Sequence, residues 1–297
     1  MKPETNNQPA DFENKVVIIT GAASGIGRGL AERCAREGMK VVLADIEEQP
    51  LAQTAHDLQA DGAAVLAVAT DVAKPSDVEN LAHKTLSTFG GVHLLCNNAG
   101  VVSSTWLWKH TIADWEWIIG VNLWGVIHGL HVFVPIMLEQ DVDCHIVNTA
   151  SLSGLAAVPA TGSGIYNMTK HAVVSLSETL YLELEQIGAK VKVSVLCPGG
   201  VRSRLGAAAR NRPADLPERP GANEAGPLDN ELGQKFFQRT GEESVSPSQV
   251  ADVVFTAIRD EQFYILTHPA YNKTIRRRLE DILLGRNPTN AMTLLVS

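Results

Sequence analysis

Tyr166 and Lys170 stand four residues apart in SGIYNMTKHAVVSLSETL, residues 163–180. The apolar spacing of this stretch predicts an amphipathic helix, and residues at i and i+4 share one helix face. Two readings fit such a pair. It could be two ordinary surface residues, or it could be a proton-transfer device. A free phenol titrates near pH ~10, and a close cation lowers that by roughly one to three pH units. A tyrosine tuned in this way can both give and take a proton.

A second group of residues could hold a phosphate. TGAASGIG (20–27) follows the β-branched run KVVIIT (15–20) and opens a helical pattern, with glycines at 21, 25 and 27. Glycines let the backbone approach a pyrophosphate, while the helix N-terminus offers N–H groups and a positive dipole end. The spacing is not GxGxxG, but the mechanics are the same. Asp45 ends the next β-branched run. A carboxylate there can accept both ribose hydroxyls of an adenosine and would repel a 2′-phosphate. Ser24 occupies the turn where a basic residue would favour that phosphate. Both features point to NAD rather than NADP. A solvated loop aspartate is the plain alternative for Asp45.

These residues need a frame. Strands are expected at 15–20, 40–45, 64–71, 92–100, 145–151, 192–200 and 263–268. Helical patterns fall between them at 25–38, 48–61, 74–90, 112–139, the Tyr166 segment, 247–260 and 271–285. This alternation predicts an α/β fold: a three-layer, doubly wound parallel sheet of Rossmann-like type. The chain reads as one domain over 15–285, with a disordered N-terminal tail at 1–14 and a C-terminal tail at 286–297. Residues 206–247 are rich in Ala, Arg, Pro, Glu and Gly and show little periodicity, so a substrate lid spanning about 200–247, or disorder, is expected there.

Composition excludes several classes. The net charge of −8, with no basic stripe beyond Arg276-Arg277-Arg278, argues against nucleic acid. Cys34, Cys96, Cys144 and Cys197 lack CxxC spacing, which argues against a zinc site and a disulfide framework. Cys96 and Cys197 are expected to be buried and inert. The polar first fourteen residues carry no apolar signal core, so a cytoplasmic protein is expected. IIGVNLWGVIHGLHVFVPIML (118–138) is long enough to be weighed as a membrane span. Asn122, His128, His131 and Pro135 within it favour a buried helix and no membrane association. His128, His131 and His171 have no metal-ligand pairing and read as structural, with no metal expected.

Taken together, these motifs resemble the short-chain dehydrogenase/reductase family. The resemblance rests on TGAASGIG, Asp71, NNAG (97–100), VNL with Asn122, NTAS with Ser151, YNMTK with Tyr166 and Lys170, and PGGV (198–201), in that order across residues 15–203. It implies a catalytic set of Asn122, Ser151, Tyr166 and Lys170. Tyr166 would exchange a proton with the substrate oxygen. Lys170 would lower the tyrosine's pKa and bind the nicotinamide ribose. Asn122 would link Lys170 to solvent through a water. The cofactor would lie on Gly21, Ser24, Gly25, Ile26 and Gly27, with Asp45 on the ribose. Asp71 and Val72 would hold the adenine. Asn98 would meet the adenosine ribose, with Gly100 beside the passing chain. Val201 would face the nicotinamide amide, and Ser203 stands where a threonine is usual. The family spacing puts the catalytic serine at Ser153, thirteen residues before Tyr166, whereas the strand pattern aligns Ser151, fifteen before. Ser151 is the expected one.

The implied activity is NAD-dependent hydride transfer between nicotinamide and a secondary alcohol or ketone. The rivals are an NADP-linked carbonyl reductase and a non-catalytic NAD-binding regulatory protein. A homotetramer or homodimer is expected, assembled through helices 112–139 and 164–187. All five tryptophans lie between 106 and 124. Trp115, Trp117 and Trp124 are expected in helix packing or a subunit interface, and Trp106 or Trp108 in an apolar substrate pocket.

Overall fold

Short Val-, Ile- and Leu-rich runs with no polar face suit strands buried on both sides. In the computed structural model they form one sheet whose central strands are buried on both faces. The structure describes residues 12–156, 158, 164–217 and 230–296. Among the described residues, seven parallel strands stand in the order β3-β2-β1-β4-β5-β6-β7. They are β1 (Val16–Thr20), β2 (Lys40–Asp45), β3 (Val65–Ala69), β4 (Leu94–Asn97), β5 (Cys144–Thr149), β6 (Val191–Cys197) and β7 (Tyr264–Leu266). Registers such as Ile18↔Val42, Ile18↔Leu95 and Leu95↔Ile146 align the strands' C-terminal ends. Strand order reverses between β1 and β4, and that crevice is where open α/β sheets bind ligands.

Helices cover both faces. On one side lie α1 (Gly25–Arg36), α2 (Glu48–Ala60) and α8 (Pro247–Arg259), enclosing a core of Ile19, Leu30, Leu43 and Phe255. On the other lie α3 (Pro75–Phe89), α5 (Gly125–Gln140) and α6 (Gly164–Gln186), around Ile18, Leu81, Phe133 and Ile146. The pattern expected as one helix over 112–139 is α4 (Ile112–Ile119) joined to α5 through a π-turn at Gly120–Trp124. The run Ile112–Gln140 is long and apolar enough to cross a membrane by length and composition. Here Val126, Gly129, Leu130, Phe133 and Met137 pack it against the sheet.

The region expected to lack periodicity contains a 3-10 segment at Leu205–Asn211 and α7 (Glu231–Glu242). The chain continues through α9 (Asn272–Leu283) to α10 (Ala291–Val296). In the expected C-terminal tail, Met292 and Leu295 of α10 are buried with Phe236 of α7. Residues 1–11 of the expected N-terminal tail and 218–229 of the expected lid lie outside the described residues. Phe12, inside that tail, packs edge-on against Phe255 at 5.0 Å. All four cysteines are buried and free.

Candidate active site

A single cleft at the C-terminal ends of the strands runs from Asp45 to Tyr166. At one end, β1 delivers the chain into the glycine turn. Gly21 has φ +68°. A Cβ on Gly27 would lie 2.1 Å from the Gly21 carbonyl oxygen, so α1 can start this close to the turn only with glycine there. Gly21, Ser24, Gly25 and Ile26 line the cleft, and Gly27 packs beneath them. Ser24 makes no capping bond with its side chain, which leaves the first N–H groups of α1 for a ligand.

Asp45 lies at the end of β2. Its Oδ2 accepts from the Ala23 N–H at 2.9 Å and its Oδ1 from the Glu47 N–H at 3.0 Å. Burial raises its carboxyl pKa, while those N–H bonds oppose the rise. Asp71 and Val72 follow β3 along the same wall. Asp71 Oδ1 accepts from the Ala73 N–H. Asn98 is fixed against β1: its Nδ2 donates to the Thr20 carbonyl at 2.9 Å, and its N–H donates to Thr20 Oγ1 at 2.8 Å. A helix N-terminus without a side-chain cap, a glycine cradle that a Cβ would fill and a carboxylate beyond it together fit a dinucleotide.

At the other end, the 23-residue α6 brings Tyr166 and Lys170 beneath the end of β5. Ser151 and Tyr166 line the cleft together, with the Ser151 hydroxyl facing the phenol. Lys170 Nζ donates to the Thr149 carbonyl at 2.7 Å and lies 5.5 Å from the Tyr166 ring centre. Burial acts on the phenol in the opposite sense to the lowering that the resemblance implies for the ammonium. It raises Tyr166 above its ordinary value, opposed by the Ser151 hydroxyl. Burial also lowers Lys170 to about 8. Burial disfavours the charged form of both groups.

Asn122 sits inside the π-turn, fully buried and behind the cleft wall. Its Oδ1 accepts from the Val101 N–H at 2.8 Å, and its Nδ2 donates to the Val101 carbonyl and to Thr169 Oγ1. The side chain is thus occupied in pinning the loop after β4 to α6. Of the two candidate serines, Ser151 faces the cleft beside Tyr166. Ser153 lies in the following 3-10 turn, where its N–H donates to Ser151 Oγ at 3.1 Å. Gly100, Val201 and Ser203 all line the cleft.

Several contributors escaped the sequence reading. Thr20 bonds both Asn98 and Ala99 through one hydroxyl, and a Thr at a strand end carries no distinctive signal. The tryptophan that lines the cleft is Trp117. Trp106 and Trp108, expected there, stack on each other at 5.2 Å outside its described lining. A strap of residues 203–216 crosses the mouth, contributing Arg204, Arg210 and Leu216 to the lining. One end is tied to Glu47 by Arg204 and Arg210. The other is tied to Asp114 by Arg212 at 2.7 Å, and Arg212 also covers the Trp117 ring.

A family model described as short chain dehydrogenase matches residues 15–214. A CLA biosynthesis dehydrogenase/reductase of Lactiplantibacillus plantarum is 35% identical, over 94% of this chain and 96% of its own. A 1-deoxy-11-beta-hydroxypentalenate dehydrogenase of Streptomyces avermitilis is 33% identical, over 91% of each chain. The crystal structure of a short chain dehydrogenase/reductase from Burkholderia phymatum in complex with NAD superposes with a TM-score of 0.86. It is 48% identical and the match covers 94% of this chain and 98% of that one.

Proposed function

The chain belongs to the short-chain dehydrogenase/reductase family, and from that premise we propose an NAD-dependent oxidoreductase acting between a secondary alcohol and its ketone. The observation that carries this reading is that Ser151, Tyr166 and Lys170 share one cleft with Asp45 at its far end. When bound, the nicotinamide supplies the hydride acceptor or donor at C4. Everything else falls to the chain's own residues.

In the oxidation direction, the substrate hydroxyl sits between Ser151 Oγ and Tyr166 Oη. Ser151 orients the oxygen, and Tyr166 Oη takes the hydroxyl proton as the carbinol hydrogen leaves as hydride. In reduction, the phenol returns that proton to the forming alkoxide. Lys170, held by the Thr149 carbonyl, sets its ammonium near the phenol and would bind the nicotinamide ribose. Asn122 keeps the Val101 loop against α6, so that the cleft wall holds its shape. Val101, Trp117, Val121 and Leu216 make the remaining wall apolar, which suits an apolar carbinol rather than a charged hydroxy acid. Asp45 favours NAD by accepting the ribose hydroxyls and repelling a 2′-phosphate. Exposed Trp124 at the end of the π-turn and Leu182 on α6 offer the contacts of a dimer or tetramer.

The test is reduced-nicotinamide absorbance with NAD, and separately NADP, across secondary alcohols from small aliphatic to bulky aryl. Turnover with NAD that falls by roughly 10²–10⁴ in Tyr166→Phe is expected. Binding of NADH without turnover on any alcohol or ketone would instead favour a regulatory protein.

A further inference from the structure

The adenosine end of the cleft holds two cations that neither the glycine turn nor the proton-transfer set uses. Glu47 lies two residues beyond Asp45, and its backbone N–H is bonded to the Asp45 carboxylate. Its own carboxylate accepts a fork from Arg210, Nε at 3.0 Å and Nη2 at 2.7 Å, and a third bond from Arg204 Nη2 at 3.3 Å. Arg210 Nη1 is spent on the carbonyls of Arg204 and Ala207, so every nitrogen of that guanidinium has a partner. Asp45, Glu47, Arg204 and Arg210 all line the cleft, together with Ser24 and Gly25 of the glycine turn.

A guanidinium pair at the adenosine end of a dinucleotide cleft is the donor set that suits a phosphate dianion. Here both guanidinium groups are turned onto a carboxylate instead. We propose that Glu47 is a second determinant of cofactor choice, holding Arg204 and Arg210 away from the place where a 2′-phosphate would sit. The inference rests on the NAD reading above. Asp45 repels that phosphate, and Glu47 withholds the cations that would attract it. Removing Asp45 alone leaves the arginines locked on Glu47. Removing Glu47 alone frees them but leaves Asp45 in place. The two devices are therefore coupled, and their joint removal exceeds the sum of the separate effects.

The experiment measures dissociation constants of NADH and NADPH by nicotinamide fluorescence for the wild type, Asp45→Ala, Glu47→Gln, the double variant, and the double variant carrying Arg204→Met and Arg210→Met. The wild type is expected to favour NADH, and Asp45→Ala to tighten NADPH. Adding Glu47→Gln should tighten NADPH by about a further tenfold, the worth of one recovered charge-assisted hydrogen bond. That second gain should vanish when both arginines are removed, with NADH affinity little changed from that of Asp45→Ala. A purely structural role for Glu47 would loosen the strap and weaken both cofactors alike, which would overturn the proposal. So would a second gain that persists without the arginines. A wild type that takes NADPH as tightly as NADH would overturn the NAD reading itself, and the proposal with it.

Discussion

Tyr166 is half-buried and Lys170 buried by the elements that position them, and burial acts on the two groups in opposite senses. It raises the phenol and lowers the ammonium to about 8. At neutral pH both therefore hold their protons: Tyr166 is a neutral donor and Lys170 a cation. Ketone reduction uses the phenol's proton, so its rate should stay flat across ~pH 6–8 and fall only in the alkaline range. Alcohol oxidation needs Tyr166 to accept a proton, so kcat/KM should rise through ~pH 8–10 toward the raised phenol pKa. Lys170, lowered to about 8, is largely neutral over this rise, so Lys170→Met should displace its upper part little. Profiles in both directions check this, and an oxidation rate flat from ~pH 6 to 10 would show that Tyr166 is not the base. The i, i+4 spacing made this pair legible as chemistry. It did not disclose the sign of the shift, because desolvation depends on what β5, β6 and the strap place around the pair.

At the scale of elements, legibility followed burial. The strands were readable within a residue or two at most ends, since apolar runs between helical patterns admit few other structures. The π-turn at Gly120–Trp124 was not, because a π-turn keeps the helical apolar pattern and only re-aims it. Helix α7 was missed for another reason. ELGQKFFQRTGE has two glycines and few apolar residues, and its burial comes from α10, more than fifty residues later. One contact inside α5 tests how closely helix and sheet are matched. A Cβ on Gly129 would lie 2.2 Å from Asn97 Oδ1, at a point where Asn97 donates to Asn148 and Asn148 donates to Ser177. Gly129→Ala gains ~1 kcal/mol of helix propensity but overpacks this hydrogen-bonded chain at a cost of ~3 kcal/mol. The net loss of ~2 kcal/mol should lower Tm by roughly 4–8 °C. A melting curve unchanged or raised by the substitution would show that α5 can move away from β4 at little cost.

At the scale of the whole molecule, the strap is tied by charge at both ends, with Ala208 and Leu216 packed on Trp117, Ile118 and Ile165 between them. Its ties join residues far apart in the chain: Arg204 and Arg210 reach Glu47 over 157 and 163 positions, and Arg212 reaches Asp114 over 98. Nothing in the local pattern of 203–216 could announce partners so distant, and for that reason this part of the cleft could not be read from sequence. The Arg212–Asp114 pair is the less exposed tie, with side-chain exposures of 10% and 2%. Breaking a buried pair by removing one partner costs ~3–5 kcal/mol when the rest of the fold must absorb it. Here the strap can detach while the sheet stays folded, so the cost is capped by the strap's own docking energy. Arg212→Met should therefore leave Tm within ~2 °C of the wild type, unlike Gly129→Ala. It should speed tryptic cleavage after Arg204 and Arg210, and raise KM for the alcohol as the Trp117 wall loses its cover. A drop in Tm as large as that of Gly129→Ala, with unchanged proteolysis, would mean that the strap unfolds only with the core. The cleft mouth would then be a fixed wall and not a separately docked segment.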